Sequence, residues 1–236
     1  MYKRQVIEQI KTFKCAEFLK FEDVFDHYVN GLKDAYDNLT GACVAIAGPT
    51  KDNSVTMTNL DWSFSGNKLK DQYNYGFFYV INDFAAHAMS VTCLGDKALL
   101  KIKPAEKKSS STENYLPKVI LGPGTGLGVA SLIHNGRSWM PIPGEGGHAN
   151  FAPVSDLDIE IYKLIQKDTG YVSQETILCG AGLTRLYNAL SIINNQEINE
   201  QSAKPENITA AALDKSDSLS VDTMACLLYT SDAADD

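Results

Sequence analysis

Two short apolar runs, each cut off by residues that cannot continue it, constrain this chain more than any other feature. Cys43-Val-Ala-Ile-Ala47 stops at Gly48-Pro49, and Gly76-Phe-Phe-Tyr-Val-Ile81 stops at Asn82-Asp83, after which a fresh helical pattern begins. Ahead of them, Val24, Phe25, Tyr28, Val29, Leu32 and Tyr36 recur at helical spacing behind the acidic pair Glu22-Asp23, which suits a helix N-terminus. Continuous apolar runs alternating with amphipathic helices predict an α/β protein whose sheet is buried on both faces.

The second half opens on a different pattern. Val119-Ile-Leu121 enters Gly122-Pro-Gly-Thr-Gly-Leu-Gly128 and leaves through Val129-Ala-Ser-Leu-Ile133, which reads as strand, glycine turn and strand. Asn135-Gly136 then predicts a tight type I′ hairpin. Ser155 with Asp158 reads as a capping box, Leu157, Ile161, Leu164 and Ile165 as a buried stripe, and Gly170 as the helix stop. Leu183, Leu186, Tyr187, Leu190 and Ile193 repeat the stripe. Between the halves, Lys107-Lys-Ser-Ser-Ser-Ser-Thr-Glu113 has no apolar periodicity. The expected organisation is a small domain over 1–94, a linker over 95–118 and a larger domain over 119–236. Met1 to Gln5 and Leu227 to Asp236 resemble translated adapter sequence and are expected to lie outside the fold.

Composition excludes several classes of function. With 44% hydrophobic residues among 236, the chain has material for a sizeable core. A net charge of -8 repels nucleic acid backbones and anionic lipid, so neither is an expected partner. Apolar runs such as Phe77 to Ile81 are far below the roughly 18 residues of a membrane span, and a cytoplasmic location is expected. Cys15, Cys43, Cys93, Cys179 and Cys226 form no paired Cys-x-x-Cys and are expected to be reduced, mostly buried thiols.

Three places could carry chemistry. Gly124, Thr125, Gly126 and Gly128 lie in a turn where backbone amides can approach an anion and a hydroxyl adds a donor. The spacing fits neither the dinucleotide nor the Walker template, so a phosphate cradle and a plain hairpin turn both stand. Asn82-Asp83 falls at the carboxyl end of an apolar strand, where open α/β sheets place their ligands. Asp83 there is either a base for a substrate hydroxyl or the N-cap of the helix that follows. In Pro143-Gly-Glu-Gly-Gly-His148, Glu145 and His148 could grip vicinal hydroxyls or sit on a plain turn. No further Cys or His lies within motif reach, which argues against a metal there. Asn59 and Glu175 are single polar residues beside apolar segments, and surface or helix-start roles also explain them.

Taken in order, Ala45-Ile-Ala-Gly-Pro49, Met57-Thr-Asn-Leu-Asp-Trp62, Ile81-Asn-Asp-Phe84, Gly124-Thr-Gly-Leu-Gly128, Pro143-Gly-Glu-Gly-Gly-His148, Phe151-Ala-Pro153, and Val172-Ser-Gln-Glu175 with Gly180-Ala-Gly-Leu183 resemble the bacterial glucokinase family. The resemblance implies a two-domain ribonuclease H-like fold of the actin and hexokinase type, truncated at both ends, with ATP and sugar meeting between the domains. It implies ATP-dependent phosphorylation of glucose at its 6-hydroxyl, with Mg2+ accompanying the nucleotide. It makes Asp83 the catalytic base, Asn82, Glu145, His148 and Glu175 glucose contacts with Asn59 as an addition, and Gly124, Thr125, Gly126 and Gly128 the second phosphate element. Asn150 stands where many members carry Asp.

The family's Asp-x-Gly-Gly-Thr-Asn loop has no match before Ile10, and the later Gly-Gly-rich adenosine element is also missing, so the nucleotide site is expected to be half encoded and the fragment inactive. The resemblance leaves room for a homodimer of the full-length protein. A kinase of the related ROK family acting on other hexoses, or a catalytically silent sugar-binding module, are the competing readings.

Overall fold

The computed structural model describes residues 7–32, 39–57, 60–100, 102 and 115–232. The chain divides into two compact units, Met1–Ala86 and His87–Asp236.

In the first unit, α1 (Phe21–Asn30) starts on its acidic turn, as its spacing predicts. Strands β1 (Gly41–Ile46) and β5 (Phe77–Asn82) pair in parallel, Gly41 opposite Phe77 through Ile46 opposite Asn82. Between them, β2 (Thr50–Lys51), β3 (Ser54–Thr56) and β4 (Ser63–Ser65) form an antiparallel sheet, and α2 (Gly66–Tyr73) follows. α3 (Asp83–Ser90) leaves directly from the end of β5.

Phe21, Ile46, Val55, Trp62, Phe64, Leu69, Phe78 and Val80 make the core of this unit. Phe21 stacks on Phe64 at 4.0 Å between ring centres. Burial on both faces of the apolar runs does not hold. Alternation places Phe78 and Val80 inside, while Phe77 and Tyr79 are 41% and 57% exposed and stack on each other outside. A sheet of two strands has here one packed face only.

The turn joining β2 to β3 is Asp52-Asn53, both at positive φ (52° and 57°), the signature of the tight primed hairpin. Asn53 then does more than turn the chain. Its Nδ2 donates to Phe78 O at 2.8 Å and its Oδ1 accepts from Val80 N–H at 2.8 Å, so one side-chain amide pairs with β5 as a neighbouring strand would. Near the end of α2, the Tyr73 hydroxyl donates to Asp26 Oδ1 at 2.6 Å. Burial first, then that bond and the charge of Asp26, push the Tyr73 phenol well above its ordinary range.

In the second unit, β6 (Lys118–Pro123), β7 (Leu127–His134) and β8 (Trp139–Gly144) form an antiparallel meander. The predicted type I′ turn at Asn135-Gly136 is corrected: the connection is the four-residue loop Asn135–Ser138, with positive φ at Gly136 alone. The Asn135 side chain sets it, Oδ1 accepting from the amides of Arg137 and Ser138 at 2.9 Å each.

Five helices follow: α4 (Asp156–Thr169), α5 (Gln174–Ile177), α6 (Gly180–Ile193), α7 (Pro205–Asp214) and α8 (Ser218–Asp232). The Ser155 and Asp158 capping box forms as predicted. Ile161, Ile165, Val172, Ile177, Leu183, Leu186, Tyr187, Leu190, Ile208 and Leu219 build this unit's core. Leu157 does not join that stripe and is 43% exposed.

Leu227 packs against the same core and α8 runs to Asp232, which corrects the expectation that residues from Leu227 onward lie outside the fold. Cys179 is buried and Cys226 half-buried, whereas Cys15, Cys43 and Cys93 are exposed, so most of the cysteines are not inside. Residues 103–114, the heart of the predicted linker, and residues 1–6 at the predicted foreign start fall outside the described residues.

Candidate active site

At the end of β5 the chain must pass from strand to helix, and Asn82 makes the passage. Its Oδ1 accepts from Ala85 N–H at 3.0 Å, three residues on, which is the N-cap bond of α3. Its Nδ2 donates to Gly48 O at 3.2 Å and to Asp83 Oδ1 at 3.1 Å. The cap expected of Asp83 is therefore provided by its neighbour. Asp83 accepts from Phe84 N–H at 2.9 Å on the same Oδ1, so both bonds load one carboxylate oxygen. Among the described residues none donates to Oδ2. A half-buried carboxylate, steered through one oxygen with the other open, has the form of a proton acceptor.

The second unit gathers the remaining candidates. The turn Gly124–Gly126 joins β6 to β7, while Gly128 lies within β7 opposite Gly122. Three bonds hold this turn. Gly124 N–H donates to Gly126 O at 2.8 Å, Gly180 N–H donates to Gly124 O at 2.9 Å, and Leu127 N–H donates to Glu175 Oε2 at 2.8 Å. Gly124 and Thr125 are left exposed.

Glu175 is aimed by α5. Ser173 caps that helix with a reciprocal pair, Thr176 N–H to Ser173 Oγ at 3.1 Å and Ser173 N–H to Thr176 Oγ1 at 3.0 Å. Arg185 Nη1 on α6 donates to Thr176 O at 2.9 Å, fixing the short helix from behind.

The Glu145 to His148 segment is brought to the same place by backbone contacts. Asn150 forms a β-bridge with Ser173, Gln174 N–H donates to Ala149 O at 2.9 Å, and the Tyr171 hydroxyl donates to His148 O at 2.8 Å. Gly147 passes so close to the carbonyl of Leu127 that no Cβ would fit there. Glu145 and His148 themselves stay open, 83% and 62% exposed, with Glu145 Oε2 and His148 Nε2 3.6 Å apart.

Glycine turn, Glu175, Glu145 and His148 thus share one locality of the second unit, and Asn82 and Asp83 belong to the first. Asn59 lies outside the described residues. Sequence reasoning did not single out Tyr171, Gly180 or Asn53 as supports. The contacts of Tyr171 with His148, Gly180 with Gly124 and Asn53 with Phe78 span 23 or more residues, and no local spacing signals such pairs.

A glycine turn beside open polar side chains, on units that mix strands and helices, fits an α/β protein of the actin and hexokinase type. The crystal structure of a glucokinase from an Antarctic psychrotroph superposes with a TM-score of 0.81 at 30% identity, covering 97% of this chain and 68% of that one. Glucokinase from Balamuthia mandrillaris in complex with glucose shares the fold at a TM-score of 0.66 and 21% identity, over 87% of this chain and 62% of that one.

The glucokinase family model matches residues 1–235, and this chain belongs to that family. Glucokinase of Saccharophagus degradans is 39% identical over 92% of the chain, and that of Colwellia psychrerythraea 42% over 81%. The chain spans 65% and 56% of those two relatives' lengths. Among the described residues no helix is long and apolar enough to cross a membrane.

Proposed function

We propose that this chain carries the sugar-binding and part of the phosphate-binding machinery of an ATP-dependent glucokinase, which moves the terminal phosphoryl group of ATP to the 6-hydroxyl of glucose. The observation that carries the reading is the meeting, in one locality, of a glycine turn with open amides and three side chains suited to vicinal hydroxyls. Membership of the glucokinase family supports it.

Asp83 is the base in this proposal. Its open Oδ2 takes the hydroxyl proton as the sugar oxygen bonds to the terminal phosphorus. The bond from that phosphorus to its bridging oxygen breaks, and the electron pair leaves with ADP. Asn82 holds the carboxylate by its other oxygen and offers a sugar hydroxyl the second lone pair of its own Oδ1. Glu145 and Glu175 accept from sugar hydroxyls, His148 donates or accepts, and Asn59 is a further contact. Gly124, Thr125, Gly126 and Gly128 make up the phosphate element, in which the Thr125 hydroxyl and the turn amides not already bonded within the protein donate to phosphate oxygens.

Mg2+ ordinarily binds through substrate phosphates and one or two carboxylates. Among the described residues no cluster of three His, Cys, Asp or Glu side chains could cage a metal, so the ion would arrive with the nucleotide.

Calorimetry with glucose, together with glucose-dependent ADP release from the purified chain, tests the proposal. Glucose heat with turnover supports it. Heat without turnover means a sugar-binding module lacking the nucleotide half, and no heat from glucose overturns the reading.

A further inference from the structure

Glu175 is claimed from two sides. The proposed function gives its carboxylate to the sugar, yet Oε2 is already engaged with the amide of Leu127 in the glycine turn, 48 residues away in sequence. A Cβ built on Gly126 would stand 2.5 Å from the same Oε2, so the carboxylate lies flat against the turn. The turn holds that amide with no side chain of its own, because Gly124 and Gly126 have none and the exposed Thr125 does not bond to it. The other two bonds of the turn are backbone to backbone. Among the described residues Glu175 is therefore the single side chain that ties the turn down, through a charge-assisted bond of the stronger kind.

We infer that Glu175 is a positioning residue for the phosphate turn, and that it couples sugar binding to the shape of that turn. The coupling half rests on the proposed function; the positioning half does not. A sugar hydroxyl that donates to Oε1 immobilises the carboxylate while Oε2 keeps Leu127. The turn is then stiffer before nucleotide arrives, and the ordering cost of nucleotide binding falls. In this arrangement one carboxylate reports occupancy of the sugar site to the phosphate site with no rearrangement of either unit.

Amide exchange of Leu127, followed by NMR on the labelled chain, separates the two halves. In Glu175→Ala the amide exchanges at least tenfold faster, whereas amides in the α4 and α6 core keep their rates. Glu175→Gln, which retains an acceptor oxygen at the same reach, restores most of the protection. Gly126→Ala provides a second route, since its methyl group displaces the carboxylate and frees Leu127 with Glu175 still present. Unchanged Leu127 exchange in both Glu175→Ala and Gly126→Ala overturns the positioning role.

Glucose should slow Leu127 exchange severalfold in the parent chain and leave it unaltered in Glu175→Ala. Calorimetric glucose binding with no change at Leu127 overturns the coupling. Absence of glucose binding overturns the proposed function and the coupling with it, while the exchange rates in the two variants still decide the positioning role.

Discussion

Asn53→Ala isolates what one side-chain amide contributes to the first unit. The substitution removes the donor to Phe78 O and the acceptor for Val80 N–H, both at 2.8 Å and both partly buried. Two backbone groups of β5 then lose their partners on that edge. At the low end of the cost of an unsatisfied group, appropriate to partial burial, this is about 1 kcal/mol each. Alanine at the φ of 57° held by Asn53 adds about 1 kcal/mol of left-handed strain. The expected loss is about 3 kcal/mol.

Asn53→Gly has no Cβ to strain but adds about 0.4–1 kcal/mol of unfolded-chain entropy, so it should lose about 2.5 to 3 kcal/mol, and the difference between the two variants sets strain against that entropy. Urea unfolding followed by Trp62 fluorescence in a Trp139→Phe background reads the first unit selectively, because Trp62 is buried in its core and the chain has 2 tryptophans. Loss within about 0.5 kcal/mol of the parent in Asn53→Ala would refute the strand-mimic argument, since the hydrogen-bond cost alone exceeds that. A glycine variant clearly less stable than the alanine variant would refute the strain component.

Other outcomes follow from the same geometry. Asp83→Asn should lower glucose-dependent turnover by about 10² to 10⁴-fold with little change in glucose affinity, measured by coupled assay and calorimetry on protein that turns over. Tyr73 has a folded pKa raised above its unfolded value, so its stabilisation is complete below about pH 10 and is lost as pH rises through the folded value. Tyr73→Phe should flatten the decline in stability above about pH 10, and an unchanged alkaline profile would count against the burial and Asp26 bond as its cause. Gly147→Ala should push the Glu145 to His148 segment off β7 and weaken glucose binding at least tenfold by calorimetry, because the backbone carbonyl of Leu127 cannot yield as a side chain would. Ser155→Ala should cost about 1 kcal/mol in urea unfolding through loss of the cap on α4.

The elements that sequence alone determined are those whose causes lie within a few residues. Apolar runs ended by Gly48-Pro49 and Asn82-Asp83 became β1 and β5, the Ser155 and Asp158 pair became a capping box, and the glycine run became a hairpin turn. Ordered motifs marked the family for the same reason, each being a short local pattern. Where a local signal competed with context, context won. Asn135-Gly136 has the composition of a primed turn, but the pairing of His134 with Trp139 leaves four residues to span, and the tight turn falls at Asp52-Asn53 instead.

What only the tertiary structure decided is which polar groups meet. Asn53 reaches β5 across 25 and 27 positions, and Glu175 reaches Leu127 across 48. Residues so far apart leave no periodicity or cap signature, because each contact exists only once two separately specified pieces of backbone have packed. Asp83 shows the division within a single residue. Composition could place a carboxylate at a strand end, but only the folded backbone let Asn82 take the cap and left one oxygen of Asp83 open.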